Sequence, residues 1–128
     1  MSGHSAVVLD SSVWIEILGS GPLSKKCETE LQSSSKIIVP TVVLFEVYRK
    51  IASNHSEDLA LSALTLLTRH EIMDLNQEIA VTAADLSLNH RLPMADSFVL
   101  AHAQVAEATL ITLDNDFAGI SGVKVLRN

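Results

Sequence analysis

The sequence predicts an α/β fold, a parallel sheet with helices on both faces, and three observations predict it. Short continuous apolar runs recur along the chain, beginning with Ala6-Val7-Val8-Leu9, and such runs mark strands buried on both faces. Segments with apolar residues at helical spacing separate these runs, and strands alternating with helices give a parallel sheet covered on both sides. Hydrophobic residues make up 48% of the chain but aromatics only 4%, so the core is built from Leu, Val, Ile and Ala rather than from the rings of a β barrel.

The first strand, Ala6 to Leu9, stops at Asp10, and Ser11 or Ser12 caps a short helix carrying Trp14, Ile15 and Leu18. Gly19-Ser20-Gly21-Pro22 breaks that helix. A second helix covers Ser24 to Leu31, the polar turn Ser33-Ser34-Ser35 follows, and Lys36 to Val39 is the second strand. Pro40-Thr41 opens a helix whose apolar positions Leu44, Val47, Tyr48 and Ile51 keep helical spacing. Ser56, followed by Glu57 and Asp58 where the helix dipole favours negative charge, starts the next helix, through Leu67. Ile72 to Leu75 reads as a short strand, and Asn76 caps a helix that ends before Pro93. From Pro93, at the first helical position where its missing N–H does no harm, an Ala-rich helix runs through Phe98 and His102 to Ala106. Thr109 to Leu113 and Val123 to Leu126 are the last two strands, which brings the sheet to about five.

A chain of 128 residues reads as one domain, spanning 1–128, whose folding buries roughly two-thirds of the unfolded chain's surface. Cys27 is the only cysteine, which excludes a disulfide framework and any Cys-based zinc cluster. No apolar stretch approaches the ~20 residues needed to span a bilayer, and Met1 to Ser5 lacks the pattern of a secretory signal. A cytoplasmic protein is expected, with residues 1–5 loose or foreign to the domain. The net charge of -6 argues against gripping nucleic acid through a broad basic surface. It leaves a nuclease open, because clustered carboxylates that hold metal ions push the total negative.

Asp10 ends the first strand and Asp114 a late one, and in open α/β sheets ligands bind outside the carboxyl ends of the strands. Taken singly, each acid reads equally as a helix cap or a turn residue. Glu46 alone reads as an ion pair with Arg49 or Lys50, and Asp96 as a first-turn acid favoured by the helix dipole. Together, all four stand at element ends that a parallel sheet gathers at one edge. Two carboxylates ~4 Å apart repel by ~4 kcal/mol at an effective dielectric near 20, so four converging there call for a cation. Oxygen-only donors point to Mg²⁺ or Mn²⁺, which take phosphate oxygens as further ligands and activate water for in-line attack.

Four blocks carry a resemblance: "VVLDSSVWIEI", "VPTVVLFEV", "LPMADSFVLAHA" and "LITLDNDFAGISGVKVL". In this order they resemble the PIN-domain ribonucleases, in particular VapC-type toxins of bacterial toxin–antitoxin modules, over essentially the whole chain. The resemblance implies a five-stranded parallel sheet, an Mg²⁺- or Mn²⁺-dependent endoribonuclease acting on RNA, a homodimer and an antitoxin protein partner. By position it implies that Asp10, Glu46, Asp96 and Asp114 are catalytic and metal-binding, with Asp116 supporting the metal and Ser12 and Thr112 hydrogen-bonding the acids. Arg49 and Lys50 share a helix with Glu46 and are the cations best placed to meet RNA.

Other readings fit less well. A dehalogenase-like phosphatase places its Asp pair after the first strand, whereas Asp114 and Asp116 stand near the end of the chain. An EF-hand loop fails because Val125 occupies the twelfth place. A receiver-like signalling domain shares the length and strand-end acids, but only Asp10 follows Leu9 and no Lys lies near Leu113. A degenerate PIN domain serving as an RNA-binding or assembly module remains the other non-enzyme reading. His102 reads as a packed core histidine and His4, His55, His70 and His90 as solvated. Cys27 reads as a small buried hydrophobe, Trp14 as a core plug or partner contact, and Lys25, Lys26 and Arg91 as surface.

Overall fold

The computed structural model describes residues 6–128. Met1 to Ser5, with His4 and the expectation of a loose start, lie outside the described residues. Five parallel strands form one sheet, β1 (Val7–Leu9), β2 (Ile37–Pro40), β3 (Glu71–Met73), β4 (Thr109–Thr112) and β5 (Val123–Val125), in the order β3-β2-β1-β4-β5. The most apolar run in the sequence supplies the central strand: Val7, Val8 and Leu9 are fully buried, as are their β4 neighbours Leu110 and Ile111. The chain moves outward from β1 through β2 to β3, then returns across the sheet to β4. Receiver-type sheets instead place β2 at an edge beside β1. Here β3 occupies that edge, which removes the receiver reading.

Helices fill the first three crossovers, α1 (Ser11–Leu18) and α2 (Ser24–Ser33), α3 (Thr41–Asn54) and α4 (Glu57–Leu67), then α5 (Gln77–His90) and α6 (Met94–Val105), and a 3₁₀ turn, Asn115–Phe117, lies in the fourth. Right-handed crossovers put the first four on one face and the returning pair on the other. Accordingly α1 packs on α2 and α3, α3 packs on α4, and α5 packs on α6. Ser56 caps α4 and Asn76 caps α5 through their side chains, as the sequence predicts.

Several boundaries differ from the sequence expectation. Asp10, not Ser11 or Ser12, caps α1, because its carboxylate accepts from the Ser11 N–H at 2.8 Å and both serines are drawn into the helix. β3 begins one residue early at Glu71 and stops at Met73; as an edge strand paired only to β2, it lacks the second neighbour that would extend it to Leu75. α2 continues through Ser33, and Pro93 stands just outside α6 as its cap residue. Trp14 is a core plug, its ring 5.7 Å from that of His70, so His70 is half-buried rather than solvated. His102 is fully buried and its Nδ1–H donates to the Phe98 carbonyl at 2.7 Å, which fits the core reading. Cys27 is buried too.

Candidate active site

The order reversal leaves β1 and β4 side by side with crossovers departing in opposite directions, which opens a crevice at their carboxyl ends. Leu9 pairs with Ile111, so the residues that follow them, Asp10 and Thr112, leave the sheet next to each other. Thr112, fully buried, donates its hydroxyl to Asp10 Oδ2 at 2.7 Å, and Ser12 donates to the same oxygen at 3.2 Å. Both hydroxyls also accept: Ser12 Oγ from the Leu113 N–H at 3.1 Å and Thr112 Oγ1 from the Asp114 N–H at 3.0 Å. Asp10, only 5% exposed, is thus held in one orientation by three groups, the Ser11 N–H and the Ser12 and Thr112 hydroxyls, and the two hydroxyls also fix the path of the chain after β4.

Asp114 Oδ1 in turn accepts from the Asp116 N–H at 2.9 Å, folding Asn115–Phe117 into a 3₁₀ turn anchored by the fully buried Phe117. That turn brings Asp116 round to Asp114, and the first turn of α6 brings Asp96 to both. Carboxylate oxygens of Asp96, Asp114 and Asp116 all lie within 4.8 Å of one another. Oxygen ligands around a hard divalent cation stand at about 2.0–2.6 Å from it, so this spacing and the all-oxygen donor set suit Mg²⁺ or Mn²⁺.

The acids face a cleft of about 590 Å³ lined by Asp10, Asp96 and Asp114 on one side and by α3 on the other. Two ridges of α3 reach it, Phe45-Arg49-Ser53 and Glu46-Lys50-Asn54, each at four-residue spacing. The cleft therefore runs from an acidic pole to a flank carrying two cations. The expected ion pair between Glu46 and Arg49 or Lys50 is not formed: neither ion pair resolved among the described residues involves Glu46. Glu46 turns instead to the acidic pole, where the Ser11 hydroxyl bonds its carboxylate.

Confinement raises the carboxyls of Asp10, Glu46 and Asp96 above their ordinary range. Burial lifts Asp10 most, the Thr112, Ser11 and Ser12 hydrogen bonds oppose it, and Asp114 adds to it. For Glu46 burial comes first and the Asp10 charge second. Asp96 is pushed up to about 6, by burial and then by the charges of Asp10, Asp114, Glu46 and Asp116.

All seven acids and hydroxyls singled out in the sequence meet around this pole, and both cations line its flank. Sequence reasoning missed Ser11, Phe45, Ser53 and Asn54. Counting one and two helical turns from Glu46 finds Asn54 as well as Lys50, but which second ridge faces the cleft is decided by the packing of α3.

The PIN-domain family model matches residues 7–123. No curated protein gives a significant match. Among solved structures, a toxin–antitoxin complex from Klebsiella pneumoniae is similar at 27% identity and a TM-score of 0.78, over 93% of this chain and 96% of that one. VapBC2 from Rickettsia felis bound to a promoter DNA fragment is similar at 19% identity and TM-score 0.74, over 94% and 97%. VapC20 from Mycobacterium tuberculosis, a sarcin–ricin loop cleaving toxin, is similar at 14% identity and TM-score 0.75, over 90% and 95%. The last two establish likeness of fold.

The raised Asp96 carboxyl makes a stability prediction. Without metal, the folded state holds a proton there up to about pH 6, whereas the unfolded chain releases it near 3.8, so stability falls as pH rises through that window. In EDTA, the melting temperature of the parent protein should drop relative to Asp96→Asn between about pH 4 and pH 6 and stay lower above it. Added Mg²⁺ at neutral pH should close the gap; parallel melting curves for the two proteins would remove the electrostatic strain at Asp96.

Proposed function

The chain belongs to the PIN-domain family, and from that premise and its cleft we propose that it is a divalent-metal-dependent endoribonuclease, the toxin of a toxin–antitoxin pair. The observation that carries the reading is the convergence of Asp10, Glu46, Asp96 and Asp114 on one cleft whose far flank holds Arg49 and Lys50. A bound Mg²⁺ or Mn²⁺ would supply Lewis-acid polarisation of the scissile phosphate and a more acidic water. Asp96, Asp114 and Asp116 would hold it, with Asp10 beside them. Thr112 and Ser12 keep Asp10 from rotating out of place, and the Ser11 backbone N–H fixes its other oxygen. Glu46, on the opposite wall, is placed to orient the attacking water and accept its proton, a role its raised pKa suits. Arg49 and Lys50 would bind RNA phosphates leading away from the acids. A purely RNA-binding module would have no use for the confined carboxylates, whose negative charge repels phosphate.

Purified protein should cleave a mixed RNA pool in Mg²⁺ or Mn²⁺ and not in EDTA. Asp10→Asn should lower the rate by about 100-fold or more with the fold retained, and Thr112→Val by about 10- to 100-fold through loss of positioning. An Asp10→Asn protein as active as the parent would take Asp10 out of the reaction.

An antitoxin partner fits a second feature, an apolar groove of about 260 Å³ between α1, α3 and α4 lined by Ile15, Leu18, Ile51, Leu59, Ala63 and Leu66. Leu59 and Leu66 are exposed on its rim, as a docked apolar helix would require. The double substitution Leu59→Glu, Leu66→Glu should abolish binding of an antitoxin co-expressed with this chain while RNA cleavage continues. Unchanged capture would place the partner elsewhere.

A homodimer fits the outer face of α5, where Val81 and Leu88, two turns apart, are exposed, Leu88 by 80%, although the opposite face already buries Ile79, Ala83 and Leu86. Leu88→Glu should convert a dimer to monomer in sedimentation velocity. A parent protein that already sediments as a monomer would overturn this assignment.

A further inference from the structure

Phe45 is the one aromatic of this chain's five that is exposed: Trp14 and Phe117 are buried and Tyr48 and Phe98 half-buried, while Phe45 is 64% exposed. It points away from the packed side of α3, where Val43, Val47 and Ile51 are buried, and lines the same cleft as the carboxylates. Its sequence neighbour is Glu46 and its ridge neighbour, one turn on, is Arg49. An isolated exposed Leu needs no explanation, but a lone aromatic face presented into a cleft between an acidic pole and a cation does.

Charge sharpens the point. With a net charge of -6 and two cations in the cleft, phosphate neutralisation contributes little: two contacts to single-stranded RNA give a salt slope of only about -1.4. An uncharged interaction would add to what these two cations and a bound metal ion supply, and base stacking on an aromatic ring is worth about 1–3 kcal/mol per base. Resting on the nuclease reading, we infer that Phe45 is a stacking platform for one unpaired base beside the cleaved phosphate, with Arg49 holding the adjoining phosphate. A base offers its face only when it is unpaired, so this ring selects loops and single strands over duplex RNA. It adds a specificity residue outside the acidic set.

The test uses fluorescein-labelled ten-nucleotide oligo(A) RNA and an abasic ribose-phosphate oligomer of equal length, with Ca²⁺ replacing Mg²⁺ for binding, and an unstructured RNA in Mg²⁺ for cleavage. Phe45→Ala should weaken oligo(A) binding about 5- to 100-fold and leave the abasic oligomer unaffected. Phe45→Trp should retain binding, Phe45→Leu should resemble Phe45→Ala, and in cleavage KM should rise while kcat stays within about two-fold. The melting temperature, read in parallel, should not move. Equal weakening of both oligomers, or rescue by Leu as complete as by Trp, would overturn stacking. Parent protein that cleaves RNA with Phe45→Ala kinetics identical to its own would sink this assignment alone. Parent protein that neither binds nor cleaves RNA would sink the nuclease reading and this inference with it.

Discussion

Like charge crowded into a small space is the constraint on which the rest of this structure turns. Two carboxylates about 4 Å apart repel by about 4 kcal/mol at an effective dielectric near 20, and Asp96, Asp114 and Asp116 approach within 4.8 Å of one another. A fold with no countermeasure would relax by swinging side chains into solvent. Here the hydroxyls of Ser12 and Thr112 and the Ser11 N–H hold Asp10, and the Asp116 N–H holds Asp114, so these two acids keep their place in the cleft. Helix geometry assists: Asp10 caps α1 and Asp96 stands in the first turn of α6, where helix N-termini favour negative charge by about 0.3–1 kcal/mol each.

This arrangement dissolves a choice that the sequence leaves open. A strand-end Asp can be read as a helix cap or as a site residue, and the two do not compete at Asp10: one oxygen caps α1, the other accepts from two hydroxyls, and the residue still lines the cleft. Asp114 likewise caps a 3₁₀ turn through Oδ1 and faces the cleft. The structural role supplies the fixed orientation that the proposed chemical role would need. Glu46 is the exception, since its local alternative, a pair with Arg49 or Lys50, would draw it out of the site.

What was legible in the sequence follows the same division. The strands, their parallel pairing and the strand-end acids could be read because apolar runs buried on both faces leave a plain signature that ends where the sheet ends. The edge of β3 could not, because a strand with one neighbour is half solvated and its limits are set by pairing to β2. The cap of α1 was misassigned because three consecutive residues, Asp10, Ser11 and Ser12, all have capping side chains, and the register of β1 on β4 decides among them. The Trp14–His70 contact joins residues distant in sequence, so no local pattern announces it. Phe45 escaped notice because in sequence it is one apolar residue in an apolar helix; only the packing of Val43, Val47 and Ile51 shows that it faces outward.

The cleft and the apolar groove share a wall. Ile15 on α1 lines both, so a partner lying in the groove touches the residue that separates it from the carboxylates. α1 also carries Ser11 and Ser12, which bond Glu46 and Asp10. Under the proposed function, chemistry and inhibition would need no long-range coupling: the short helix that carries Ser11 and Ser12 is the same helix against which a partner would rest. A segment extending past Ile15 meets an acidic pole where Asp10, Glu46 and Asp96 are held at raised pKa, and a single cationic side chain there would relieve their repulsion, as a bound metal ion would. An inhibitor would gain affinity from the electrostatic strain of the site that it closes, and metal and inhibitor would compete for the same carboxylates.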